Sequence, residues 1–134
     1  METEKEETMS RLERIFQNLD TGMTQERYLN LCEQLEKEPD PKEMPPAWED
    51  LPDIVIHAIS TFNLLGDRVY PEIGYVGKDY TNLSHFFEIY EIQDKEFFME
   101  VLSWLDSRAI KKSSEQLKKE YDKLKRQSRG SQRG

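Results

Sequence analysis

The sequence is poor in the residues that hold small proteins together through covalent links or metals. It has one cysteine, Cys32, and two histidines, His57 and His85. A single thiol excludes an internal disulfide and fits a reducing cytoplasm. Two histidines and one distant cysteine match no zinc or di-metal spacing. No run of 18 apolar residues occurs, so no membrane span is expected. Residues 1–7 lack the apolar stretch of a signal peptide. Hydrophobic residues make up only 36% of the chain against 34% charged. The core is therefore expected to be small and concentrated in residues 28–105. At 134 residues the chain is one domain, or a domain with tails.

What the chain does have is charge, unevenly divided. Residues 1–107 carry 24 acidic and 9 basic side chains, a net of −15. Residues 108–134 carry 3 acidic and 10 basic side chains, a net of +7. The acidic body repels phosphate, so nucleic acid is not expected as a partner except weakly, through the basic tail.

Hydrophobic spacing predicts a mainly α protein. The expected architecture is a small orthogonal domain of about five helices with a Pro-rich arm, a short irregular or β-ribbon loop and a basic C-terminal helix. A first helix over residues 3–19 carries Met9, Leu12, Ile15, Phe16 and Leu19 on one face, and Gly22 suits a left-handed cap. Thr24 is placed to cap a second helix over 24–37, with Tyr28, Leu31, Cys32 and Leu35 as its stripe. Four prolines in positions 39–46 end that helix and predict an extended, polyproline-like arm. Met44 and Trp48 favour an arm laid across the domain over a free linker. A third helix over 52–65, a loop over 67–78 and a fourth helix over 80–91 follow. Asp94 caps a fifth. Its apolar pattern weakens past Ala109, and only Leu117, Tyr121 and Leu124 continue it. Residues 128–134 are expected to be disordered. The expected core is Ile54, Ile59, Phe62, Leu83, Phe86, Phe98, Val101, Leu102 and Leu105. The organisation this implies is an amphipathic helix over 1–20, a helical domain over 21–110, and a basic helix with a disordered tail over 111–134.

No catalytic constellation accompanies these elements. Cys32 sits in an apolar stripe, and a reactive thiol would want basic neighbours. The carboxylate pairs Glu49 with Asp50 and Glu88 with Glu91 read as a solvated acidic face. Gly74-Tyr75-Val76-Gly77 fits the bare G-x-x-G of a KH loop but has Tyr and Val where that loop carries basic residues. A phosphate-binding Walker loop also fails, because Glu72 and Asp79 occupy its first glycine and its Ser/Thr positions. No enzyme activity, no cofactor and no metal are expected.

Three segments carry a resemblance: Tyr28-Leu29-Asn30-Leu31-Cys32-Glu33-Gln34-Leu35, the run from Glu38-Pro39-Asp40-Pro41 to Met44-Pro45-Pro46, and Gly77-Lys78-Asp79-Tyr80-Thr81-Asn82-Leu83. Together the chain resembles small helical proteins of tailed bacteriophages. The last segment is similar to the Gly-x-Asp-Tyr-x-x-Leu stretch that opens a helix in several tail assembly chaperones. The chain lacks the tryptophan-arginine stretch that precedes the glycine in that pattern. The resemblance implies a non-enzymatic viral protein of the host cytoplasm that binds a helical client, such as a tape measure protein, during tail assembly. Phe86, Phe87, Phe97, Trp104, Trp48 and Tyr75 are the candidate partner-binding residues, because the aromatic load exceeds what a small core requires. Two other classes fit parts of the sequence. An acidic regulator could occupy the basic surface of a nucleic-acid-binding protein. A minor virion or packaging protein could use the basic tail on DNA.

Overall fold

The structure is a computed structural model and describes residues 2–132. Its elements are α1 (Glu2–Thr21), α2 (Gln25–Gln34), a 3-10 turn (Trp48–Asp50), α3 (Asp53–Leu64), β1 (Asp67–Tyr70), β2 (Gly74–Lys78), α4 (Leu83–Ile89) and α5 (Lys95–Gln132). The expected mainly helical class, with a β-ribbon in the loop and a basic C-terminal helix, is what is found. The chain falls into two compact units, residues 1–56 and 57–134. This differs from boundaries near 20 and 110. α5 runs unbroken through residue 110, and α1 is bonded to the segment around the prolines.

In the first unit, α1 buries Leu12 and Ile15. Phe16 meets Trp48 edge-on, with ring centroids 5.8 Å apart. The Arg14 guanidinium donates to the carbonyls of Lys42 (3.4 Å) and Met44 (3.3 Å). Gln25 donates to the Pro45 carbonyl at 2.9 Å, and the Asp40 N–H donates to the Tyr28 hydroxyl at 3.1 Å. The proline segment is thus held along its unit, chiefly through its own carbonyls, which prolines leave without helical or sheet partners. It is not extended throughout. The Asp40 carbonyl accepts from Glu43 and Met44 N–H, and its carboxylate accepts from Lys42 N–H. These bonds fold residues 41–43 into a turn, because a short aspartate side chain competes for local backbone donors.

Three helices close in the same way. In α1 the Met23 N–H reaches the Asn18 carbonyl and the Gly22 N–H reaches Leu19. In α2 the pairs are Lys37 to Cys32 and Glu36 to Glu33; in α4 they are Ile92 to Phe87 and Glu91 to Glu88. This is the Schellman pattern, which needs a left-handed residue just past the helix. Gly22 supplies it at φ 74°, as its position predicts, whereas glutamates supply it at φ 53° and 51° after α2 and α4. The expected end of the second helix at residue 37 is therefore corrected to Gln34. At the starts, the Thr24 hydroxyl accepts from Arg27 N–H at 3.1 Å, and the Asp94 carboxylate accepts from Phe97 N–H at 3.0 Å. Both act as the sequence predicts.

The second unit buries Ala58, Thr61, Leu65, Leu83, Ile92, Phe97, Phe98, Val101, Leu102 and Leu105. Of the expected core, Ile54, Ile59, Phe62 and Phe86 are only half-buried. α4 starts at Leu83, three residues later than expected. Asp79 takes Thr81 N–H and hydroxyl at 2.9 and 2.5 Å and holds residues 79–81 in a turn. The expectation of disorder past residue 128 is also corrected: α5 continues to Gln132. Residues 133 and 134 lie outside the described residues. The run past Ala109 is rich in lysine, glutamate, glutamine and arginine, which lose little side-chain freedom in a helix, and a helix already nucleated extends at one bond per residue.

Two measurements test this packing. Phe98 is wholly buried, so Phe98→Ala is expected to cost about 3–5 kcal/mol in denaturant unfolding; an unchanged midpoint would remove it from the core. Glu36→Gly is expected to stabilise by about 1 kcal/mol, because the left-handed conformation is costly for any residue with a Cβ. A lower midpoint would show that Glu36 contributes something other than its backbone angle.

Candidate protein-binding surface

β1 and β2 form an antiparallel ribbon with partners Asp67–Lys78, Arg68–Gly77, Val69–Tyr75 and Tyr70–Gly74, and a bulge between Arg68 and Val69. A two-stranded ribbon is marginal by itself in water. Here it is fastened to α5 through Asp106, a buried carboxylate on the helix. One Asp106 oxygen accepts the Tyr75 hydroxyl at 2.5 Å. The other accepts the Tyr80 hydroxyl at 2.6 Å and the Lys78 N–H at 3.1 Å. The register shift leaves Val76 without a partner on β1, in the stretch of β2 between Tyr75 and Lys78, two of the residues that reach this carboxylate.

Two glycines permit the approach. Gly77 has φ 127°, and a Cβ there would lie 3.2 Å from an Asp106 oxygen. Gly74 has φ 88°, and a Cβ there would lie 2.6 Å from Leu117 Cδ1. The Tyr75 N–H also donates to Ser113 Oγ at 3.4 Å. On the other side of the ribbon, buried Lys78 donates to Asp67 at 2.5 Å and to the Leu65 carbonyl at 3.3 Å. Its ammonium stands 4.6 Å from the centre of the Phe62 ring.

Burial by itself would raise the Asp106 pKa. The Tyr75 and Tyr80 hydroxyls, the Lys78 N–H and the Lys78 charge outweigh it, and the carboxyl is held below its ordinary value. Burial, then the neighbouring Asp106, pushes both tyrosines above theirs. Near neutrality the carboxylate is therefore ionised and both phenols keep their protons. Three donors converge on this one carboxylate, so the cluster fastens the ribbon to α5.

The candidate partner residues differ in their exposure. Phe97 is 4% exposed and belongs to the core, so its place on a binding surface is corrected: the helical period turns it inward with Val101 and Leu105. Phe87 is half-buried and meets Phe98 edge-on at 5.3 Å. Trp104 is also half-buried. Phe86 lines a shallow groove of about 480 Å³ with Leu64, Gly66 and His85. Tyr75 is committed to Asp106. Trp48, in the first unit, is 38% exposed with its ring edge-on to Phe16. Among the described residues, no group of three His, Cys, Asp or Glu side chains is arranged to hold a metal ion. No helix of the described residues is long and apolar enough to cross a membrane.

The open apolar surface lies elsewhere. Residues 118–130 of α5 are all exposed. Ile110, Leu117, Tyr121 and Leu124 recur at helical spacing on one face, over about 21 Å of axis. Tyr121 is 62% exposed and Leu124 64%. The contact of Gly74 with Leu117 brings the ribbon tip to this stripe, and Ile73, at the tip, is 66% exposed. Sequence reasoning saw the three residues 117, 121 and 124 only as a fading core pattern. Asp106 was missed, although a carboxylate one turn after Leu102 and beside Leu105 is a legible sign of an acid on a core-facing position.

Comparison with protein-family models, with curated proteins and with solved structures gives no match for this chain.

The fastening carries its own pH signature. The Asp106 pKa is lowered on folding, so its contribution is full above the ordinary carboxylate range and is lost as pH falls through the folded value. The tyrosine pKa values are raised, so their contribution is full below the ordinary value of 10.0 and declines as pH rises beyond it. Asp106→Asn is expected to cost about 2–4 kcal/mol at neutral pH, because it sets an amide donor against donors. The gap between the two proteins should narrow in melts taken at progressively acid pH. A gap independent of pH would mean that Asp106 acts through its shape alone.

Proposed function

We propose that this chain is a non-enzymatic binding protein that holds a helical protein client on the apolar stripe of α5 and the adjoining ribbon tip. One observation carries the reading. A helix that presents apolar residues at three- and four-residue spacing ordinarily buries that face, yet Tyr121 and Leu124 stand exposed. The form of contact that this favours is helix against helix, with the stripe reading apolar anchors on the partner. High net charge keeps such a surface soluble while it is empty. The resemblance to tail assembly chaperones suggests the client: a long helical tail protein, such as a tape measure protein, bound in the cytoplasm of an infected host.

The −15 charge of residues 1–107 favours a second reading, an acidic regulator seated on the basic surface of a nucleic-acid-binding protein. The two readings separate in one experiment. The full chain and its Tyr121→Ser/Leu124→Ser variant would each be used to recover and identify partners from the native cell. Client binding predicts a helical tail protein that is retained by the natural sequence and reduced at least about tenfold by the variant, since each lost apolar anchor removes about 1–2 kcal/mol. A basic nucleic-acid-binding partner that is unaffected by the variant and released by salt would replace the client reading with the regulator.

A further inference from the structure

The stripe on α5 has a charged border on one side. Each aliphatic residue of its seven-residue row is followed at once by a lysine: Ile110-Lys111, Leu117-Lys118 and Leu124-Lys125. A step of one residue turns about 100° around the helix, so these three lysines form a row along one flank of the stripe. All three are exposed. Lys125 also lies 5.2 Å from the centre of the Tyr121 ring, at the border of the apolar surface. The opposite flank carries Ser113, Gln116, Glu120 and Gln127, of which Gln116 donates to Glu120 at 3.2 Å. Asp122 and Glu115 lie farther round the helix on the lysine side, and Arg129 stands with the lysine row. The surface is therefore apolar along its middle, net cationic along one edge and nearly neutral along the other.

We infer that the partner of this stripe is an amphipathic helix with an acidic flank, its carboxylates repeating at about seven-residue intervals beside an apolar row. This rests on the helical-client reading and gives the client its chemistry. An acidic edge lying along Lys111, Lys118 and Lys125 forms three ion pairs beside the apolar contact, in the manner of charges bordering a coiled-coil seam. A neutral edge gains none of these, and a basic edge meets three like charges. A second copy of this helix fits less well. In an antiparallel pair its lysine rows face each other, and in a parallel pair Glu120 is the only acidic residue of the neutral flank that can meet a lysine row. The border thus fixes which helices bind and in which direction they lie.

The test uses the full chain and three synthetic helical peptides of 21 residues (about six turns) that share one leucine row and differ only in the flank: Glu, Gln or Lys. Binding is followed by fluorescence anisotropy at low and high salt. The Glu peptide is expected to bind about tenfold more tightly than the Gln peptide, from three exposed ion pairs of roughly 0.5 kcal/mol each. Salt should erode that difference. The triple variant Lys111→Glu, Lys118→Glu and Lys125→Glu, changed only at exposed positions, should reverse the order and prefer the Lys peptide. Circular dichroism would check that its helix content is kept. Equal, salt-insensitive binding of the Glu and Gln peptides would overturn the acidic flank and leave the helical client standing. Binding of none of the peptides, with capture only of a DNA duplex or only of a second copy of the chain, would overturn both.

Discussion

The second unit depends on one carboxylate. Asp106 is buried on α5, where an ionised group without partners would be strongly disfavoured. Two phenol hydroxyls and a backbone amide from the ribbon and its continuation replace the water it has lost. Because those donors come from residues 75, 78 and 80, satisfying one side chain also sets the bulge, the direction of β2 and the turn into α4. Gly77 follows from this: any side chain there would enter the space of the carboxylate. Lys78 completes the balance on the far face by pairing with Asp67 across the ribbon. A ribbon of nine strand residues is thereby held where its own hydrogen bonds would hold it only weakly.

That constraint reaches the candidate surface. The ribbon enters its tip with Gly74 seated on Leu117, so the geometry fixed at Asp106 also fixes which turn of α5 the tip meets. The boundary between the covered and the open parts of the helix falls here. Toward its N-terminus α5 buries Phe97, Phe98, Val101, Leu102 and Leu105; beyond Leu117 every described side chain is exposed. The apolar row does not end where the covering does, and the mismatch between row and covering is what points to a partner.

Local rules were legible in the sequence and tertiary ones were not. Gly22, Thr24 and Asp94 cap helices because capping involves residues within about one turn of each other. The helices themselves follow from periodicity. The end of α2 was misread because nothing in the sequence marks Glu36 as left-handed. That angle is imposed by the way the helix closes. The aromatic residues misled for a related reason. Counting Phe86, Phe87, Phe97 and Trp104 shows an excess, but only the packing says which are covered, and Phe97 is wholly internal to the unit. Asp106 could have been suspected from its place on an apolar face. Its partners could not, since they lie 26–31 residues away in sequence and meet only through the ribbon.

The open end of α5 also shows why a seven-residue row suits a short contact. A straight α-helix has 3.6 residues per turn, so a row spaced at seven drifts by about 20° per repeat. Over Ile110, Leu117 and Leu124 the drift is about 40°, small enough for the row to face one partner helix without a long supercoil. Tyr121 lies between the rows and widens the stripe, and its ring extends the apolar surface toward the lysine border. Fifteen residues of helix offer limited apolar area, so affinity from burial alone is modest. Charges at the edge then carry more of the discrimination between partners than they would on a larger interface. On the proposed reading, a short, exposed stripe with one net basic edge would rest its selection of sequence on the flank, while the apolar row would supply attachment.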